Sequence, residues 1–113
     1  MPKRSESLLL EDMLLACERI TSYTEAISYN QFVDDPKTLD ATVRNIQILG
    51  EAASQVPKSY QTDHPEIEWS KIVRSRHILV HEYFDLDYGI IWKIVKEYIP
   101  PLTQSLKNII PKK

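Results

Sequence analysis

The sequence predicts an all-α protein, folded as an antiparallel helical bundle, on three observations. Apolar residues recur at helical spacing in four segments of the 113-residue chain. Glycine occurs only twice, whereas an all-β protein of this size would need many turns and usually more glycine. Hydrophobic residues make up 42% of the chain and charged residues 27%, which is a globular profile. We therefore expect a single helical domain over residues 1–113.

The first two predicted helices have clear apolar stripes. The first spans about residues 7–28. The second has Asp35 as a natural N-cap and Pro36 at its first helical position, and Pro57 stops it. Gly50 lies inside this helix at a cost of about 1 kcal/mol relative to alanine, which indicates that another helix passes close by. The stripes are Leu9, Met13, Ala16, Ile20, Tyr23 and Ile27, then Leu39, Val43, Ile46, Gly50 and Ala53.

Two further helices are predicted after a proline-containing connector, which has room for one short helical turn. The third helix covers about residues 69–83. The fourth covers about residues 87–108, with Pro100 and Pro101 expected to kink it or to split off its last turns. Its predicted inward residues are Ile91, Ile94, Val95, Tyr98 and Leu102.

Charge and cysteine content exclude several classes of protein. The net charge is −2, so any contact with nucleic acid must use a local basic patch. Cys17 is the single cysteine, which rules out an internal disulfide and a cysteine-based zinc site, and it is expected in the core rather than as a nucleophile. No signal peptide or stretch of about 18 apolar residues is visible. A cytoplasmic protein without a membrane span is therefore expected.

The stretch RSRHILVHEYF, residues 74–84, is the candidate functional segment. On a helix, Arg76 falls on the same stripe as Trp69, Val73, Val80 and Tyr83. A guanidinium on an apolar stripe must be paired or must face a cleft, because burying an unpaired charge is costly. Arg76 is therefore predicted to have a partner, a cleft or both.

Two histidines accompany this arginine. His77 and His81 are four residues apart and share a face, whereas Arg76 and His81 are turned about 140° from each other on an ideal helix. Two copies of the helix packed across a twofold axis would line one groove with both residue types.

Arginine and histidine without a metal suit the cleavage of RNA phosphodiesters. The 2′-hydroxyl is an internal nucleophile, a histidine can move its proton, and an arginine can bind the phosphate oxygens as charge builds. Lys71 and Arg74 would then extend the positive surface towards flanking phosphates.

Other interpretations of these residues stay open. An Arg–His pair at a chosen spacing often arises by chance, and a histidine on such a helix is more often structural than catalytic. His77 and His81 could instead ligate a metal with Glu82 or Asp85, although no clear third ligand is evident.

The chain resembles the HepT-like branch of the HEPN superfamily, almost from end to end. The resemblance rests on the order and spacing of ACERITSYTEAI, FVDDPKTLDATVRNIQILGEAASQVP, HPEIEWSKIV and IIWKIVKEYIPPL, together with R-x4-H-x-Y at Arg76, His81 and Tyr83. Similar sequences tend to have Gly-Met where this one has Arg74-Ser75, a change that adds positive charge and bears on dimer packing or RNA preference.

The resemblance implies a dimerising bundle of four or five helices that acts as a metal-independent ribonuclease without a cofactor. Such proteins are the toxins of type VII-like HepT/MntA toxin–antitoxin modules. The motifs of both protomers would line one cleft, where Arg76 binds the phosphate, His81 transfers the proton and His77 supports the cleft. A cognate MntA-like nucleotidyltransferase would add AMP to Tyr83 and so block the cleft. Glu51, in the family's GEA segment, is a supporting residue that could pair with a basic residue such as Arg76; a surface glutamate is the alternative.

Three functions compete at this point. The first is a homodimeric toxin ribonuclease. The second is a non-catalytic RNA- or nucleotide-binding partner subunit of a minimal nucleotidyltransferase. The third is a structural helical dimer with a degenerate site, which the intact set of Arg76, His77, His81 and Tyr83 disfavours.

Overall fold

The described part of the chain is helical. The computed structural model describes residues 4–81 and 87–111, with the backbone alone at 77–81. No strand occurs in these ranges, which confirms the predicted all-α class. The helices are α1 (Glu6–Thr24), α2 (Tyr29–Val33), α3 (Pro36–Gln55), α4 (Lys58–Asp63), α5 (Trp69–His81), α6 (Tyr88–Lys93), a π-helical turn (Ile94–Tyr98) and α7 (Ile99–Ile109).

The core lies between the long helices, where α3 packs between α1 and α5 and α7 packs on α1. The predicted stripe of α3 is buried throughout, and that of α1 is buried from Leu9 to Ile20. The prediction that Tyr23 belongs to the buried stripe is wrong, because the residue is 37% exposed. No helix in the ranges that the structure describes is long and apolar enough to cross a membrane.

The first predicted helix is too long at its C-terminal end. α1 ends at Thr24, and the chain then turns into the short, unpredicted helix α2. Ser28 and Gln31 form a reciprocal capping box at the start of α2, so the side chain of each satisfies the backbone N–H of the other. Phe32 on α2 packs against Trp92 of α6 with ring centroids 5.0 Å apart, and this contact explains why the chain turns back here.

The start of α3 is as predicted. The Asp35 carboxylate accepts hydrogen bonds from the Thr38 N–H (3.3 Å) and hydroxyl (2.7 Å), and these bonds lower the pKa of Asp35. Pro36 occupies the first turn, where its missing N–H costs nothing. The cap fixes the register of α3, and therefore which of its residues face α1, α5 and solvent.

The predicted last helix is interrupted before its prolines. Residues 88–109 are helical throughout, but residues 94–98 form a π turn. Pro100 and Pro101 have no N–H for the carbonyls of Lys96 and Glu97, and their rings crowd those carbonyls. The wider turn accommodates this mismatch without ending the helix. Of the predicted inward residues, Ile91 and Val95 are buried, while Ile94, Tyr98 and Leu102 are partly buried.

Candidate functional site

Helix α5 carries the candidate arginine, and its N-terminal end is firmly anchored. Trp69 is 6% exposed, and its indole N–H donates to the carbonyl of His64 at 3.0 Å. The His64 ring stacks on Tyr60 with centroids 4.1 Å apart. His64 is thus a structural residue that secures the entry to α5, in keeping with its place in a proline-flanked connector.

Arg76 lies at a close crossing of α5 and α3. A Cβ on Gly50 would overlap the Cβ of Arg76 and would lie 3.1 Å from the carbonyl oxygen of Ile72. Only glycine lets the two helices approach this far, which confirms the close helix passage predicted from Gly50. The first carbons of the arginine side chain therefore pack against the backbone of α3.

The guanidinium of Arg76 is paired. Its Nη1 donates to Oε2 of Glu51, the residue after the crossing glycine. Oε1 of Glu51 accepts a hydrogen bond from Gln55 at 3.1 Å, so both carboxylate oxygens are engaged. The Arg76 side chain is 31% exposed and that of Glu51 is 55% exposed. The pair is therefore open to water, and an anion that binds Arg76 more tightly than Glu51 does can displace the carboxylate.

Arg76 also faces a cleft, as its place on the apolar stripe predicts. Arg76 and Glu51 line a cavity of about 550 Å³ between α1, α3 and α5. A half-buried arginine at the edge of such a cleft can present its planar fork to the oxygens of a phosphate. The arrangement can bind an anion and stabilise negative charge that develops on it.

The histidines and the tyrosine of the motif are only partly located. His77 and His81 belong to α5, with His81 as its last residue. The structure describes their backbone alone, so it leaves both the catalytic and the metal-ligand interpretations of their imidazoles untested. Tyr83 lies outside the described residues.

Lys71 and Arg74 do not share the cleft of Arg76. Both line a second cavity of about 270 Å³, together with residues of the π turn and α7. Lys71 pairs with Glu68 at 3.3 Å, and this hydrogen bond raises the pKa of Lys71. Its Nζ also lies 4.6 Å from the centroid of the Tyr98 ring. Lys71 is thus already engaged on the other side of α5, whereas Arg74 is exposed there.

Cys17 has no part in this site. It is fully buried in α1, and burial raises the pKa of its thiol to about 12. A thiol with so high a pKa is protonated at neutral pH and is a poor nucleophile. The prediction that Cys17 is a core residue is confirmed.

The sequence contains further cleft residues that the motif does not identify. Gln47 and Arg44 lie on α3 one and two turns before Glu51 and line the same cavity, as do Arg4, just before α1, and Asp12 of α1. The steps of three and four between residues 44, 47 and 51 form a polar stripe opposite the core. This stripe is the one signal that could have identified them.

Known proteins are similar to this chain over most of its length. Residues 13–109 match the family model described as "Ribonuclease HepT-like". The chain is 42% identical over 107 residues to "Probable ribonuclease HepT" of Thermococcus cleftensis, covering 95% of this chain and 97% of that relative. It is 38% identical over 103 residues to "Putative RNase TTE0752" of Caldanaerobacter subterraneus subsp. tengcongensis, covering 91% and 92%.

A third relative is "Putative RNase MJ1380" of Methanocaldococcus jannaschii, which is 33% identical over 109 residues, covering 96% of this chain and all of that protein. No solved structure gives a significant match. The family model and these relatives extend over nearly the whole chain. The chain therefore belongs to the HepT-like ribonuclease family.

Proposed function

We propose that this chain is a metal-independent endoribonuclease, the toxin of a type VII-like toxin–antitoxin module, and that it acts as a homodimer. The observation that carries the proposal is the position of Arg76. Its guanidinium lies at the edge of an open cleft, is paired with an exposed carboxylate among the described residues, and is followed on the same helix by His81. Family membership supports ribonuclease activity.

The proposed reaction needs no nucleophile from the protein. The 2′-oxygen of the RNA attacks phosphorus while His81 takes its proton, and the bond from phosphorus to the 5′-oxygen breaks. Arg76 releases Glu51 and binds the non-bridging oxygens as their charge increases. The second His81 of the dimer returns a proton to the departing 5′-oxygen, and the product carries a 2′,3′-cyclic phosphate. His77 and Glu51 support the cleft, whereas Lys71 and Arg74 line the cavity on the other side of α5 and take no part in the reaction.

Replacement of His81 tests this proposal. We expect unmodified wild-type protein to cleave RNA in EDTA and His81→Ala to be slower by about 10²–10⁴-fold, the usual contribution of a general acid–base. The measurement is cleavage of an end-labelled RNA, with a fully 2′-O-methylated strand of the same sequence as the uncleavable control. Intact mass must first show that the protein carries no AMP.

An inactive wild-type protein would contradict the proposal. If folded, dimeric, unmodified wild-type protein leaves RNA intact, the chain is not a nuclease. The second hypothesis, a non-catalytic RNA- or nucleotide-binding partner of a minimal nucleotidyltransferase, would then replace it. Equal cleavage by wild type and His81→Ala would instead show that His81 is not the proton-transfer residue.

Neutralisation through Tyr83 is a separate prediction. With a cognate MntA-like nucleotidyltransferase and ATP, wild-type protein should gain the mass of one or more AMP groups and should lose RNA cleavage. The added phosphate places negative charge and bulk beside a basic cleft. Tyr83→Phe should neither gain mass nor lose activity, as measured by intact mass spectrometry and the same cleavage assay. Addition of AMP to Tyr83→Phe would show that another residue is the acceptor.

A further inference from the structure

The cleft beside Arg76 has a basic rim that extends beyond the motif. Arg4, Arg44 and Arg76 reach it from α1's leading segment, α3 and α5, and the amides of Gln47 and Gln55 lie on the same side of α3 as Arg44. Arginine forks bind phosphate oxygens, and glutamine amides can both donate to and accept from the edge of a base. The rim therefore offers the donors and acceptors that a nucleotide needs.

The floor of the cleft is apolar. It is formed by Leu9 of α1 and Ala52 of α3, both at least 95% buried, with the partly exposed Ile48 beside them. An apolar floor under a polar rim suits the flat face of an unstacked base. A volume of about 550 Å³ accommodates a ligand of this size and is within the range of small-molecule sites.

Arg44 is the source of the cleft's net positive charge. Of the two carboxylates that line the cleft, Asp12 pairs with Arg4 at 2.5 Å and Glu51 pairs with Arg76. Within the described residues, Arg44 has no carboxylate in ion-pairing distance, and its side chain is exposed. An incoming phosphate can therefore bind Arg44 without displacing an observed ion pair.

The spacing along α3 allows Arg44 to bind a different phosphate from the one that Arg76 binds. Arg44 precedes Glu51, the partner of Arg76, by seven residues, which is two helical turns or about 10 Å of rise. At this spacing the two arginines can each hold a different phosphate of one strand, so we assign a neighbouring phosphate to Arg44. A base stacked in a duplex could not enter the cleft, whereas a single strand can turn one inward.

We propose that this cleft binds a nucleotide next to the scissile phosphate of single-stranded RNA, with Arg44 on the flanking phosphate and Gln47 at the edge of the base. The inference rests on the proposed ribonuclease function and adds a subsite to it. Lys71 and Arg74, which line the cavity on the other side of α5, cannot serve this subsite.

The test is the binding of a fluorescent, fully 2′-O-methylated RNA strand that cannot be cleaved, measured by anisotropy at several salt concentrations. Arg44→Ala should weaken binding by about tenfold, the lower end of a charge-assisted hydrogen bond's contribution. It should also reduce the slope of log K against log salt by about 0.7, the loss of one single-strand phosphate contact. Arg19→Ala is the matched control, because Arg19 is also an exposed helical arginine but does not line the cleft.

Four outcomes would overturn the subsite. Arg44→Ala could bind the strand as tightly as Arg19→Ala does. The reduced salt slope could occur only in a Lys71→Ala/Arg74→Ala double variant. The wild-type protein could fail to bind the strand. A change in the oligomeric mass of Arg44→Ala by light scattering would also overturn it, since the cleft would then be covered by a second copy of the chain. The strand used for binding cannot be cleaved, so binding is measured independently of catalysis. A wild-type protein that binds this strand through Arg44 but does not cleave RNA would contradict the proposed ribonuclease function and not the binding site.

Discussion

Arg76→Ala should lower the rate of RNA cleavage by about 10²–10³-fold while leaving the fold intact. Removing a donor that stabilises developing charge in the transition state typically costs this much. The fold should survive because the partner, Glu51, has a side chain that is 55% exposed and can be hydrated once the pair is lost. Exposed ion pairs contribute at most about 1 kcal/mol to stability.

Arg76→Lys separates charge from geometry at the same position. Lysine keeps the positive charge but lacks the planar fork that binds two phosphate oxygens at once, so it should recover only part of the activity. Single-turnover cleavage in EDTA and urea unfolding are the two measurements, with Arg19→Ala as the control. An Arg76→Ala protein that cleaves at the wild-type rate would remove Arg76 from the reaction, and one that fails to fold would show that its role is structural.

Gly50→Ala should destabilise the protein by about 1–3 kcal/mol, the usual cost of overpacking. This loss should appear even though alanine favours a helix by about 1 kcal/mol relative to glycine. The new methyl group would overlap the Cβ of Arg76 and press on the carbonyl of Ile72. Neither atom lies at the end of a flexible side chain, so α5 itself would have to move away from α3.

Gly89→Ala is the matched control for this substitution. Gly89 is the other glycine of the chain and is exposed in α6, and of the described residues a Cβ there would meet the tip of the Asp87 side chain at 3.2 Å. The free energy of unfolding of Gly89→Ala, measured in urea, should stay the same or rise by up to about 1 kcal/mol, because alanine favours a helix over glycine. Gly50→Ala should also slow RNA cleavage, because Arg76 moves with α5. Equal stability of the two alanine variants would show that the crossing at Gly50 is not tight.

Much of the fold could be predicted because local signals and tertiary packing agree. Asp35 and Pro36 define the beginning of α3, and its apolar period identifies the buried face without knowledge of the neighbours. Helix α2 could not be predicted, because its five residues have too little periodicity and depend on the contact of Phe32 with Trp92, 60 positions later in the chain. The π turn before Pro100 likewise results from a steric conflict at the prolines and has no signature in the apolar pattern of the sequence.

The site was predictable in its parts but not in its layout. The stripe position of Arg76 predicts that it is paired or faces a cleft, and the structure has both features; Gly50 correctly indicates the helix crossing. Sequence distance groups Lys71 and Arg74 with Arg76, whereas α5 turns them towards another cavity. Arg44 is 32 residues from Arg76 along the chain and meets the same cleft only because α3 packs against α5.

The pairing of Arg76 with Glu51 has a consequence for selectivity among cellular anions. An arginine without a carboxylate would adsorb free phosphate, nucleotides and duplex nucleic acid indiscriminately. Here every such anion must first compete with a carboxylate tethered at high local concentration. A small anion gains one contact for the one it breaks, whereas a strand that engages several groups recovers the loss. If Arg76 binds RNA as proposed, the resting ion pair would raise the affinity that any anion needs there, and this would favour a long polyanion over small anions.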